Sequence, residues 1–220
     1  MLSIAKKLRK HKIQIYDGSE NPIFVDAFFE AIHSDNIPDS ILHHFACDCA
    51  ERVLTKEYNN GRVPNGGFYS VLRIKRYWIE KRTGDQFLQS AIDWCQRQVK
   101  TAHRQSLQTV IDLSQSWQGL RKIEASRAVE AAAIVVLACA QPDAKLAAQT
   151  TANEAALHEN HVVAGEELIE IAWQNNHLAD LIEQYQQSRV DLLSTITKRA
   201  NHLAFIIPSW QRETNDALYS

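Results

Sequence analysis

The stretch that most restricts the fold is Ala125–Ala140, which after Arg127 carries a single charge, Glu130. A helix that is apolar on nearly every face needs neighbours on nearly every face. Its small Ala side chains allow close approach, and Ile134-Val135-Val136-Leu137 supplies bulk to pack against. The spacing therefore predicts the central rod, roughly Arg121 to Ala140, of an all-α protein. The apolar run is too short and too interrupted to span a bilayer, which takes about 20 apolar residues.

Seven Gly and five Pro in 220 residues leave few chain breaks, which favours helix over strand. A chain of this length buries roughly 70% of its extended surface in one domain and needs no metal or disulfide to fold. We expect residues 1–220 to form one all-helical domain of stacked antiparallel hairpins, with 1–16 and 209–220 peripheral. The charge is uneven. Residues 1–105 carry 16 Lys+Arg against 12 Asp+Glu, and residues 140–220 carry 5 against 11. This polarity suits solvated faces or a charged partner.

Apolar residues at helical spacing mark the further helices. Leu2, Ala5 and Leu8 give a weak stripe on a basic first helix, a pattern shared by solvated helices and membrane-surface ones. Leu42, Phe45, Ala46, Cys49, Ala50, Val53 and Leu54 form the clearest amphipathic face, ended by Asn59-Asn60-Gly61. Phe68–Arg82 reads as a helix, with a short strand pair as the alternative. The next helix begins after Thr83-Gly84-Asp85, bends near His103–Ser106 or runs on, and closes at Trp117-Gln118-Gly119. Pro142 restarts a helix. Gly165 marks a close approach or kink and Asn175-Asn176 a break, and Leu193, Ile196, Ala200, Leu203 and Ile207 define a last helix stopped by Pro208. Cys47, Cys49, Cys95 and Cys139 sit in these helices as buried free thiols, which fits a reducing, cytoplasmic setting. The basic N-terminal stretch lacks the apolar core of a signal peptide.

Three constellations bear on chemistry. Glu154, His158 and His161 share a helical face and are suitable ligands for zinc or iron. His43, His44, Cys47 and Asp48 form a second cluster. The spacing matches neither His-Glu-x-x-His nor the Glu-x-x-His pairs of a di-iron bundle, so no cofactor is expected. Arg73, Lys75, Arg76, Lys81 and Arg82, interleaved with Tyr69, Tyr77 and Trp78, form a nucleic-acid-like pattern over residues 68–82. Against that reading, the same helix must bury an apolar face in a slightly acidic protein. No Gly-x-Ser-x-Gly and no phosphate-cradling loop occurs, so the sequence leans away from catalysis.

Asp48-Cys49-Ala50-Glu51-Arg52-Val53-Leu54 resembles the opening helix of helical immunity proteins from bacterial polymorphic-toxin systems. Ala91-Ile92-Asp93-Trp94 and the Ala-rich stretch follow in the corresponding order. The resemblance covers residues 40–160; the first 40 and last 60 residues fall outside it, and Tyr58–Gly84 is longer than its counterpart. It implies a cytoplasmic protein that neutralises a toxin by direct binding, without chemistry of its own. Glu166, Glu167 and Glu170, in the acidic C-terminal third, are the candidate partner-binding carboxylates.

Overall fold

The computed structural model describes residues 2–10, 23–34, 36–62, 64–113, 117–162 and 167–216. Among them are eight helices and no strand: α1 (Leu2–Lys10), α2 (Ile23–His33), α3 (Asp39–Asn59), α4 (Gly66–Ile79), α5 (Asp85–Leu113), α6 (Trp117–Cys139), α7 (Ala144–Val162) and α8 (Glu167–Asp216). The all-α expectation holds.

The Ala-rich helix is central as its composition requires: α6 packs against α3, α4, α5 and α7. Ala132, Ala133, Val135, Val136 and Cys139 are buried along it. The one charge of its stretch after Arg127, Glu130, meets His103 Nδ1 of α5 at 2.6 Å.

A second helix organises the molecule as strongly. α3 lies between two apolar cores. Ala46, Cys47, Ala50, Val53 and Leu54 face the first, with α4, α5, α6 and α7. Ile41, Leu42, Phe45 and Cys49 face the second, with α1, α2, α7 and α8. Cys47 and Cys49, two residues apart, therefore serve different cores. The weak stripe of α1 is a core contact: Ala5 and Leu8 are buried, and Arg9 bridges Asp180 and Glu183 of α8 at 2.5 and 2.8 Å.

Local chemistry fixes the helix ends. The Asn65 side chain accepts from Gly67 N at 2.9 Å and caps α4, and Asp143 Oδ1 accepts from Leu146 N at 2.7 Å to open α7. α3 closes in a Schellman turn: Gly61 N donates to Tyr58 O and Arg62 N to Glu57 O, with Gly61 at φ +76°. α4 closes the same way through Lys81 N to Trp78 O and Arg82 N to Tyr77 O. There the left-handed residue is Lys81, at φ +56°.

Several sequence breaks are not breaks. α5 continues as one helix past His103–Ser106, and Trp117 begins α6 rather than ending α5. Phe68–Arg82 holds the helix α4 and no strand pair. α8 runs through Asn175-Asn176, because Asn176 Nδ2 bonds back to Ala172 O at 2.7 Å and Asn175 is buried. It also continues past Pro208 to Asp216. Gly165 lies outside the described residues.

Candidate functional site

The heptapeptide Asp48–Leu54 has two faces. Cys49, Ala50, Val53 and Leu54 are fully buried, while Asp48, Glu51 and Arg52 make one polar strip, three and four residues apart. Lys56 extends the strip by one turn. Every one of these polar groups is tied to a neighbouring helix. Arg76 of α4 donates to Asp48 at 2.9 Å and to Glu51 at 2.7 Å. The other Asp48 oxygen lies 2.8 Å from His177 Nε2 of α8. Burial pulls the Asp48 carboxyl upward, but His177 and Arg76 outweigh it and hold the pKa below 3.8. His177 stacks on Trp173 at 4.8 Å, and the Arg52 guanidinium lies 4.4 Å above the Trp173 ring. Arg52 and Lys56 then reach one carboxylate, Glu170, at 2.9 and 3.2 Å.

Glu170 has no exposed surface and is further held by Gln174 Nε2 at 3.3 Å. The expectation that it forms a partner-binding carboxylate is thus corrected: its charge is spent on α3. Glu166 lies outside the described residues, as does the side chain of Glu167.

A second buried node closes α3. The Schellman turn swings Arg62 back so that Nε and Nη2 grip both Glu57 oxygens at 2.6 and 2.7 Å. His158 Nε2 lies 3.0 Å from Glu57 Oε1. Burial raises the Glu57 pKa; Arg62 and His158 more than reverse this, leaving it below 4.5. His158 therefore faces a carboxylate of α3 rather than the open end of a ligand set. Glu154 is half-buried, and the His161 side chain lies outside the described residues. Among the described residues no three His, Cys, Asp or Glu groups converge as metal ligands.

His43, His44, Cys47 and Asp48 share one side of α3, but His43, Cys47 and Asp48 meet different partners. His43 packs edge-on against Trp78 at 5.2 Å, and burial, followed by Lys75, lowers its pKa to about 4. Together they line an open cleft of about 480 Å³ with Asp39, Ser40 and Asp85. Cys47 Sγ lies 3.6 Å from Cys139 Sγ in the first core.

The basic pattern on α4 separates by depth. Lys75 is fully buried, and its Nζ donates to Gln141 O at 2.6 Å, beyond the end of α6. A cation there meets the negative end of the helix dipole. It also lies 4.3 Å over the Trp78 ring. Burial brings its pKa down to about 8. Arg76 is committed to α3, and Arg82 to Glu80 and the Tyr77 ring. Three of the five cations that suggested nucleic acid are thus internally paired. The outer face of α4 instead presents Tyr69, Arg73 and Tyr77 at steps of four, all exposed, with Tyr58 of α3 alongside. Glu51 and Tyr58 lie near enough to Tyr69 to raise its pKa, after the effect of burial.

The arrangement can hold three helices at fixed separation and present a polar, aromatic surface. Among the described residues no helix is long and apolar enough to cross a membrane. No family model, curated protein or solved structure matches the chain.

Proposed function

We propose that the protein is a non-catalytic protein-binding module and, following the resemblance of Asp48–Leu54, an immunity protein that neutralises a toxin in the cytoplasm by direct binding. The observation that carries this reading is the exposed Tyr69–Arg73–Tyr77 row on α4 with Tyr58 beside it. Tyr and Arg are enriched among the residues that dominate binding energy, and Tyr brings large contact area at small entropic cost. The row is backed by Arg76, whose ion pairs to Asp48 and Glu51 lock α4 onto α3. Pre-organisation of that kind reduces the ordering cost of association.

The test is affinity capture with the tagged chain from its native host, with nuclease and with chelator, comparing wild type with Tyr69→Ala/Tyr77→Ala. Both rings are exposed, so the fold is retained; far-UV circular dichroism checks this. One stoichiometric protein partner that survives both treatments, and whose affinity falls roughly tenfold or more in the variant, supports the reading. A partner lost with nuclease turns the surface into a nucleic-acid site. Bound zinc or iron without a protein partner returns attention to Glu154, His158 and His161.

A further inference from the structure

The cleft beside His43 is built where three helices start. Asp39 and Ser40 open α3, Asp85 opens α5, and Pro142 stands just before α7. Trp78 and Ile79, at the end of α4, supply an apolar wall, and Lys81 and Thr83 complete the rim. The volume of about 480 Å³ lies in the range of small-molecule sites.

Two features set this cleft apart from a surface groove. The first is His43, which lines it while being only 5% exposed, and whose Nδ1 has no hydrogen-bond partner among the described residues. Buried polar atoms are nearly always paired, so an imidazole left open at the wall of a cleft points to a polar group of a ligand. The second is the way the Trp78 ring is held. Its Nε1 donates to Asp85 Oδ1 at 2.7 Å, Lys75 Nζ lies 4.3 Å from the ring centroid, and His43 meets the ring edge-on. An indole fixed on three sides is a wall that needs no further ordering when a ligand arrives.

The charges narrow the ligand. Asp39 and Asp85 bring two exposed carboxylates and Lys81 one exposed ammonium. Pro38 offers no side-chain cap to α3, and its carbonyl accepts from Ile41 N and Leu42 N. The amides of Asp39 and Ser40 are then first-turn donors outside the helical ladder. A phosphate would meet both carboxylates. A simple amine would meet Lys81, with Lys75 already over the Trp78 ring. A molecule that carries both charges is matched at each end.

We propose that this cleft binds a free amino acid with an apolar or aromatic side chain. Its ammonium lies between Asp39 and Asp85, its carboxylate at Lys81 and the start of α3, and its side chain against Trp78 and Ile79. A neutral imidazole has one donor and one acceptor, so His43 can bond either charged end. Tyr69, Arg73 and Tyr77 do not line the cleft, so this site stands apart from the protein-binding row.

The test is titration of the isotope-labelled full chain with L-phenylalanine and with L-leucine, read by calorimetry and by the indole N–H resonance of Trp78. Trp78→Phe assigns that resonance. A Kd on the order of 0.1–1 mM and a shift of the Trp78 signal are expected for at least one of the two. Phenethylamine, without the carboxylate, and hydrocinnamate, without the ammonium, should bind about tenfold or more weakly than L-phenylalanine. Asp39→Asn should weaken binding by a similar factor. So should Lys81→Gly, which suits the φ of +56° and leaves the fold at least as stable. His43→Leu should abolish binding without lowering the unfolding temperature, because it removes the unpaired nitrogen. Absence of heat and shift with both amino acids up to about 10 mM overturns the proposal. Tighter binding of inorganic phosphate or phenethylamine than of either amino acid also overturns it, as does an affinity that survives Asp39→Asn, Lys81→Gly and His43→Leu alike.

Discussion

His158 Nε2 and Glu57 Oε1 lie 3.0 Å apart, and the two side chains are 0% and 1% exposed. A histidine facing a buried carboxylate across two helices fastens α7 to the end of α3. With Arg62 on the other side, Glu57 receives three charged or polar donors. Together with the Arg52–Glu170–Lys56 and Asp48–Arg76–Glu51 groups, it makes α3 a rail to which α4, α7 and α8 are each bound by polar side chains. Buried ion pairs add little net stability compared with apolar packing, but they strongly penalise loss of one partner. The three groups therefore fix the relative positions of the helices.

Acid should loosen this arrangement in a defined direction. The folded-state pKa of Glu57 lies below its ordinary 4.5, and that of Asp48 below 3.8. A depressed carboxyl contributes stability above its unfolded value and loses it as the pH falls through its folded value. Urea midpoints of the wild type should fall between pH 6 and pH 3. Glu57→Gln should be less stable at pH 6, by about 2–3 kcal/mol. Its further loss on acidification should be smaller than that of the wild type. Equal acid slopes would show that Glu57 has the same pKa in the folded and the unfolded chain.

Arg52 and Lys56 both serve Glu170, so their removal should not be additive. Either Arg52→Ala or Lys56→Ala leaves Glu170 one cation. The double variant leaves a fully buried carboxylate with neither, and should cost about 1–3 kcal/mol more than the two single losses combined. A double-mutant cycle by denaturant unfolding measures this. Additivity would mean that the two cations act on Glu170 independently of each other.

The apolar framework was legible in the sequence, and the polar one was not. The centrality of α6 follows from the near absence of charge after Arg127, and the buried face of α3 from its helical spacing. The different surroundings of Cys47 and Cys49 follow from their separation by two. Helix ends are less legible than helix faces, because a local stop signal does not by itself decide where a helix ends. Trp117-Gln118-Gly119 looked like a stop, yet Trp117 starts α6. Pro208 looked like a stop, yet α8 passes it. Glu170 looked like a surface carboxylate because its neighbours in sequence are acidic. Its partners, Arg52 and Lys56, stand more than 110 positions away in the chain. His158 and His177 likewise find carboxylates 101 and 129 residues away. Composition holds no record of such pairs.

Two substitutions involving glycine should act in opposite directions. Lys81 closes α4 at φ +56°, a conformation that costs a side chain about 1 kcal/mol or more relative to glycine. Lys81→Gly should raise stability by about 0.5–1 kcal/mol after the added freedom of the unfolded chain is set against it. Gly67 is the reverse case. A Cβ there would meet the Trp94 ring at 2.3 Å. That ring is also packed edge-on against Phe68 at 5.3 Å. Gly67→Ala should therefore cost about 1–3 kcal/mol. Thermal unfolding of the two variants should shift in opposite senses, and a shared sense would contradict one of these two geometries.

Lys75 predicts a response at the alkaline end. Its pKa is lowered to about 8 from an ordinary 10.5, first by burial. Above 10.5 the group is neutral in both states and the penalty is absent. As the pH falls from 10.5 to 8, the unfolded chain takes up the proton before the folded one, so stability declines; below 8 both are charged and the contribution is level. Stability attributable to Lys75 should thus rise by about 2–3 kcal/mol between pH 8 and pH 10.5. Lys75→Met keeps the volume and removes the titration, at the expense of the donor to Gln141 O. Chemical unfolding of wild type and variant at the two pH values isolates the difference from the tyrosines, which both share. A wild type whose advantage over Lys75→Met is the same at pH 8 and pH 10.5 would mean that the ammonium is as well solvated in the folded protein as in the unfolded chain.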